Sequence, residues 1–255
     1  MNDLIDLTGK NAIVTGGSRG VGRATALLLA RAGANVGIGF RSREDAAASV
    51  VAELESLGVA AWAQAGDLSQ PDDVEALFHR GDTEFDGLDI FVGNHGIWPA
   101  EDTAIAELSD ARWHETMGAN LHSVFYTSRA AARRLRNGGS LVLVGSTAGQ
   151  RGEAYHGDYA ATKGAMISLV KGFCVELGAR DITVNCVAPG WIDTEMSASA
   201  LDDPAQRTSI EEGIPLKRVA SAGDVAGPIV FLCSELGRHI TGEILNVNGG
   251  AVLVG

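Results

Sequence analysis

The chain has 255 residues, 45% of them hydrophobic, with 33 glycines and a net charge of −12. That length suits one α/β domain with a sizeable core and many tight turns. The acidity argues against nucleic acid as a partner, and no apolar run reaches the ~20 residues that a membrane span needs. The opening MNDLIDLTGK carries acid and lacks an apolar stretch, so it does not read as a signal peptide. Cys174, Cys186 and Cys233 lie in apolar segments without C-x-x-C spacing. They read as buried free thiols in a reducing compartment, the cytoplasm.

Apolar runs alternate with helical patterns throughout, which is how a parallel sheet covered on both faces looks in sequence. Strands are expected at 11–15, 35–40, 60–65, 88–93, 140–144, 183–188 and 243–247. Helices are expected at 21–31 and 45–57, stopped by Gly33 and Gly58. Ser69 reads as the cap of the next helix, with Asp72 in the capping-box position. Ser109 opens a long helix over 109–136, which Asn137-Gly138-Gly139 ends. Another helix spans 158–178. The small and polar segment 190–213 reads as a mobile flap with one short helix. Ser221 then caps a helix to about 236, with Asp224 at its third position. Residues 1–255 are thus expected to form a single domain.

Thr15-Gly-Gly-Ser-Arg-Gly-Val-Gly22 sits between the first strand and the first helix. That setting is what a phosphate-binding turn requires. Gly16, Gly20 and Gly22 let the backbone approach a diphosphate, Ser18, Arg19 and Val21 complete the turn, and the helix start offers free N–H groups. The fold expected is therefore a single Rossmann-type, doubly wound α/β domain: a seven-stranded parallel sheet with helices on both faces.

The second strand ends Gly39-Phe40-Arg41-Ser42-Arg43, with no acid to bind a ribose 2′-hydroxyl. Arg41 can meet a 2′-phosphate, with Arg19 on its other side. NADP(H) is accordingly expected over NAD(H).

Chemistry concentrates in Ser146–Lys163. Tyr159 and Lys163 stand four residues apart, one helical turn on one face. A cation beside a phenol is expected to lower its pKa and make it an acid or base usable near neutrality. The chain has three tyrosines and four lysines, so this spacing is weak evidence alone. Ser146, after the fifth strand, is placed to hydrogen-bond a substrate oxygen. Tyr155 has Tyr159, not lysine, four positions on, and reads as a substrate-pocket or surface aromatic. The histidines show no paired metal-ligand spacing except the helix row of His114 and His122, so no metal site is expected.

Thr15–Gly22, Asp67-Leu68, Asn94-His95-Gly96, Asn120, Ser146, Tyr159, Lys163, Pro189-Gly190 and Thr194 occur together and in order. With these motifs the whole chain resembles the short-chain dehydrogenase/reductase family. The resemblance implies a catalytic tetrad of Asn120, Ser146, Tyr159 and Lys163. Lys163 would also bind the nicotinamide ribose, and Asn120 would hold a water that relays protons to Lys163. Asp67 and Leu68 would contact adenine, Asn94 and Gly96 would follow the fourth strand, Pro189 and Gly190 would bind the cofactor after the sixth, and Ile192 and Thr194 would contact the carboxamide. Where the family has N-N-A-G, this chain has Gly93-Asn94-His95-Gly96; His95 is expected to turn out to solvent, the alternative being a shifted backbone or an imidazole near the nicotinamide ribose.

Within the family the pattern is most similar to 3-oxoacyl-[acyl-carrier-protein] reductases. Arg129, Arg133, Arg134 and Arg136 would suit an acidic acyl carrier protein, or are a solvated helix face. Val175 stands where many such reductases carry a basic docking residue. Sugar, steroid and secondary-alcohol dehydrogenases use the same tetrad and remain alternatives. So does a non-catalytic dinucleotide sensor or scaffold, although such relatives usually lack the tyrosine or lysine. Substrate contacts are expected from 97–99, 150–156 and 191–200, with Trp98 and Trp191 as apolar walls and Arg151 either meeting an anion or exposed. A homotetramer is implied, with the helices around 111–135 and 158–178 and the apolar segment 249–255 as contacts.

Overall fold

The computed structural model describes residues 5–253. Its first half alternates β1 (Asn11–Thr15), α1 (Gly20–Arg31), β2 (Asn35–Phe40), α2 (Glu44–Ser56), β3 (Ala61–Ala65), α3 (Pro71–Glu84) and β4 (Leu88–Gly93). Then come α4 (Asp110–Met117), α5 (Ser123–Arg134), β5 (Leu135–Val144), α6 (Ala148–Arg151), α7 (Gly157–Leu177) and β6 (Thr183–Pro189). The last elements are α8 (Ala198–Leu201), α9 (Pro204–Gly213), α10 (Ala222–Leu232) and β7 (Ile244–Val247). The strands form one parallel sheet in the order β3-β2-β1-β4-β5-β6-β7.

Both faces of the sheet are buried, so its strands read as continuous apolar runs. Period-two alternation divides them. Val14, Val36, Ile38, Ile90, Val92 and Val142 meet α1 and α10 through residues such as Leu29 and Ile229. Ile13, Phe91, Leu141, Leu143 and Val184 meet α3, α5 and α7 through Phe78, Val124 and Met166. Each such aliphatic or aromatic side chain contributes roughly 1.5–3 kcal/mol by leaving water. Gly37 on β2 makes room for Trp62 on β3: a Cβ there would lie 2.1 Å from the indole.

Several local expectations need correcting. Ser69 is not a helix cap. The residue before α3 is Gln70, which makes no side-chain cap, and the helix starts at Pro71. Proline's fixed φ and missing N–H suit a first helical position without such help. Ser69 Oγ instead donates to Asp67 Oδ1 at 2.8 Å, and Asp73 rather than Asp72 takes the Asp67 N–H at 2.7 Å. Ser109 does cap α4, accepting the Arg112 N–H at 3.2 Å. The long helix beyond it is interrupted by a π-helical turn, Gly118–His122.

Asn137-Gly138-Gly139 does not separate α5 from β5. Leu135 already pairs with Leu88, and pairing resumes at Ser140 with Ile90, so these residues form an irregularity within the strand. The segment 190–213 carries two helices, α8 and α9, rather than one. Ser221 and Asp224 form a reciprocal capping box for α10. That helix stops at Leu232, where Ser234 Oγ donates to the Phe231 carbonyl at 2.7 Å. The three cysteines are free. Among the described residues no helix is long and apolar enough to cross a membrane.

Candidate active site

The strand order reverses between β1 and β4, the place where a doubly wound sheet opens a crevice at its strand ends. A cleft of about 530 Å³ lies there. The expected site residues line it, except Gly22 and Asn120. Gly22 lies behind the glycine turn, where a Cβ would meet the Gly16 carbonyl oxygen at 2.2 Å. Gly16 and Gly20 have φ of 64° and 51°, the left-handed region that glycine tolerates. Arg19 precedes α1 without a side-chain cap, and the first turn of α1 carries no acid. Its N–H groups and positive dipole end therefore face the cleft available to an anion. Asn94 Nδ2 donates to the carbonyls of Thr15 and Gly16 at 3.1 and 3.2 Å, locking the end of β4 to the turn. These residues fit a dinucleotide diphosphate.

At the end of the cleft formed by β2 and β3, Arg41 pairs with Asp67 Oδ2 at 3.2 Å. Burial pushes the Asp67 carboxyl up, but the Ser69 hydrogen bonds and Arg41 outweigh it and leave the group below its usual range. Arg19 pairs with Glu195 at 2.9 Å, across from it. Leu68 and Ser42 line the same end, while Pro189, Gly190, Ile192 and Thr194 line the opposite wall.

At the other end, α7 presents Tyr159 and Lys163 on one face. Its start is anchored by the buried Asp158, whose Oδ2 accepts from Arg112 Nε at 3.1 Å and Thr116 Oγ1 at 2.8 Å. Lys163 is buried, and its Nζ donates to the Val144 carbonyl at 2.9 Å. Burial pulls its pKa down to about 8. The expected lowering of the Tyr159 phenol by Lys163 is not found. Burial pushes the phenol up to about 12, the Ser146 hydrogen bond takes some of this back, and the Glu153 charge adds to it. Burial dominates at this phenol, while Nζ donates to the Val144 carbonyl and sits 5.7 Å from the Tyr159 ring centroid.

Asn120 is fully buried in the π-helical turn, behind the cleft wall. Its Oδ1 accepts the Ile97 N–H at 2.7 Å and its Nδ2 donates to the Ile97 carbonyl at 2.9 Å. The extra residue of such a turn lets the side chain face a neighbouring loop instead of the helix ladder.

His95 corrects another expectation, since it turns inward, its Nδ1 lying 2.7 Å from Thr15 Oγ1. The cleft is also walled by Trp98, stacked on His156 at 4.9 Å and edge-on to Trp191 at 5.9 Å. Glu153, also in the wall, is half-buried; burial raises its pKa, and the nearby His156 and Arg151 only partly offset this. Sequence reading singled out its loop but not this carboxylate. Arg151 and Tyr155 are exposed.

The family model described as Enoyl-(Acyl carrier protein) reductase matches residues 16–252. The 3-oxoacyl-[acyl-carrier-protein] reductase of Escherichia coli is 36% identical over 252 residues, covering 98% of this chain and 100% of that protein. The chain belongs to the short-chain dehydrogenase/reductase family. The corresponding reductase of Staphylococcus epidermidis is 35% identical over 94% of this chain and 98% of its own length. A short-chain dehydrogenase from Burkholderia cenocepacia in complex with NADP superposes with a TM-score of 0.90 at 38% identity, covering 96% of this chain and 98% of that one. A metagenomic blue fluorescent protein in complex with NADPH gives 0.91 at 33% identity, covering 97% and 100%. As a short-chain dehydrogenase/reductase, this protein is an oxidoreductase.

The buried lysine has a stability consequence. Lys163 titrates near 8 when folded and near its usual 10.5 when unfolded. The unfolded chain therefore binds more protons between those values, and this lysine's contribution makes stability rise with pH across that window. Below pH 8 its charge costs the folded state in full. Replacing Lys163 with Met should stabilise the fold at pH 7 by up to about 3 kcal/mol, with the gain shrinking toward pH 10. Urea denaturation at both pH values checks it.

Proposed function

We propose that this short-chain dehydrogenase/reductase is an NADP(H)-dependent reductase of 3-oxoacyl thioesters. What carries the reading is the convergence of Ser146, Tyr159 and Lys163 at one end of a cleft whose other end is a glycine turn with Arg19 and Arg41. The full-length match to 3-oxoacyl-[acyl-carrier-protein] reductases supports the substrate class.

When bound in this cleft, a nicotinamide cofactor would supply hydride chemistry for the carbonyl carbon. Ser146 donates a hydrogen bond to the carbonyl oxygen and holds it near Tyr159. Tyr159 gives its phenolic proton to that oxygen as charge develops there. A phenol held near 12 is protonated at neutral pH, the form that proton donation in a reduction requires. Lys163 is still largely charged at pH 7, its ammonium held beside the ring of Tyr159 by the Val144 carbonyl. It also orients the nicotinamide ribose by its hydroxyls. Asn120 holds the 97–98 wall in place through both hydrogen bonds to Ile97, beside the water relay that the family resemblance assigns to it.

Arg41 and Arg19 receive the 2′-phosphate. It competes with Asp67 for Arg41, and both arginines are more than half exposed and free to turn. NADP and NADPH in the related structures support this choice. An acyl carrier protein would meet Arg129 and Arg133. Arg134 and Arg136 are already paired, with Glu75 and Asp82 and with Asp86 respectively. Exposed Phe125 and Val175 on α5 and α7 support a homotetramer. So does Leu253, although residues 254–255 of the proposed contact lie outside the described residues. Three free thiols support a cytoplasmic setting.

A second reading has its own observation. Glu153 places a carboxylate near Tyr159 beside two tryptophans, which favours a hydroxylated ketone such as a sugar over an acyl chain. NADPH consumption with an acetoacetyl thioester, beside a panel of sugars and simple ketones, separates the two. Thioester turnover faster than the rest is the expected result. A silent thioester with sugar turnover moves the assignment to the second reading, and silence with every carbonyl leaves a non-catalytic dinucleotide binder. Replacing Arg41 with Asp should reverse the preference between NADPH and NADH, and an unchanged ratio of kcat/KM values would remove Arg41 from the cofactor site.

A further inference from the structure

His95 occupies the position where the family motif has a small residue, and the hydrogen bonding around it fixes its tautomer. Thr15 Oγ1 receives the Asn94 N–H at 3.0 Å and the His95 N–H at 3.4 Å. With both lone pairs engaged, its hydroxyl donates to a third partner. Nδ1 of His95 lies at 2.7 Å, whereas the other acceptor within reach, the Val92 carbonyl, lies at 3.3 Å. The hydroxyl therefore donates to Nδ1.

The ring is neutral: burial first, and the Lys163 charge second, pull its pKa down to about 3. A neutral imidazole that accepts at Nδ1 carries its proton at Nε2. That nitrogen is buried and has no partner among the described residues. A buried N–H left unpaired is costly, and native structures retain few of them.

The position of the ring says what would pair with it. His95 lines the cleft and feels the charges of both Asp67 and Lys163. Those two groups stand at the adenine and nicotinamide ends of the proposed cofactor site. Its backbone presses on the glycine turn, with Cα 3.1 Å from where a Cβ on Gly16 would sit. Between these landmarks runs the middle of a dinucleotide, which is rich in acceptor oxygens and poor in donors.

We infer that His95 Nε2–H donates a hydrogen bond to an oxygen of the central ribose–diphosphate segment of the bound dinucleotide, a contact this chain adds to those of its glycine turn. The inference rests on the cofactor reading of the same cleft. His95 is thereby a cofactor-affinity residue rather than a packing residue.

Three variants separate these roles. His95→Ala removes both ring nitrogens. His95→Asn keeps an acceptor for the Thr15 hydroxyl but has nothing at the Nε2 position. His95→Gln reaches that position with an amide N–H. NADPH is titrated against each by fluorescence, with melting temperature without NADPH recorded alongside. The Ala and Asn variants should bind NADPH about tenfold more weakly, the loss of one hydrogen bond to a charged or polar oxygen. The Gln variant should recover most of that affinity. Unchanged binding by Ala and Asn overturns the inference. So does an equal loss in all three, which is the behaviour of a residue that only packs. Failure of the unsubstituted chain to bind NADPH overturns the cofactor reading instead.

Discussion

Because β1 lies between β2 and β4, the segments that follow β1 and β4 run to opposite faces of the sheet, α1 to one and α5 to the other. The connections diverge above the ends of β1 and β4, and nothing in the sheet itself can fill the gap they leave. Every functional feature is arranged around that opening. The glycine turn follows β1, Asn94 and His95 follow β4, Ser146 follows β5 and Pro189 ends β6. The hydrogen bonds from Asn94 to the carbonyls of Thr15 and Gly16 bind the two sides of the reversal together. The cleft is thus a consequence of strand order, and its chemistry depends on which side chains stand at the strand ends.

Those side chains are held where water would not leave them. Lys163, Tyr159 and His95 are all shifted away from their charged forms, and burial is the first cause in each case. Burial of this kind opposes folding. It also leaves groups with unspent hydrogen-bonding capacity facing a common space, which suits binding and proton transfer. Lys163 shows both sides. Its contact with the Val144 carbonyl fixes where the ammonium sits, while desolvation brings its pKa close to the working range. The neighbouring Tyr159 keeps its proton for the same reason. In the protein alone, then, desolvation outweighs the charge–charge effect that a four-residue spacing suggests.

The sheet was legible in sequence because strands buried on both faces are apolar throughout, and because Thr15–Gly22 can only be a strand, a turn and a helix start. Tyr159 and Lys163 were legible by helical spacing once that turn supplied a cofactor site. Other features depend on three-dimensional context that the local sequence does not carry. Ser69 looks like a cap until Asp67 claims its hydroxyl and Pro71 starts the helix unaided. Asn137-Gly138-Gly139 looks like a stop, but pairing with β4 carries the strand through it. The π-helical turn that places Asn120 has no local signature. His95 turns inward because Thr15, eighty positions earlier, offers it a hydroxyl. Glu153 becomes notable only through its burial beside Trp98 and Tyr159.

The central claim is that Tyr159 supplies the proton in a reduction carried out in this cleft. Turnover and NADPH binding measured together on Tyr159→Phe test it most directly. Loss of turnover by about 10²–10⁴-fold with NADPH affinity unchanged is the predicted result. Turnover close to that of the unsubstituted chain would contradict it and shift proton donation to another group in the cleft.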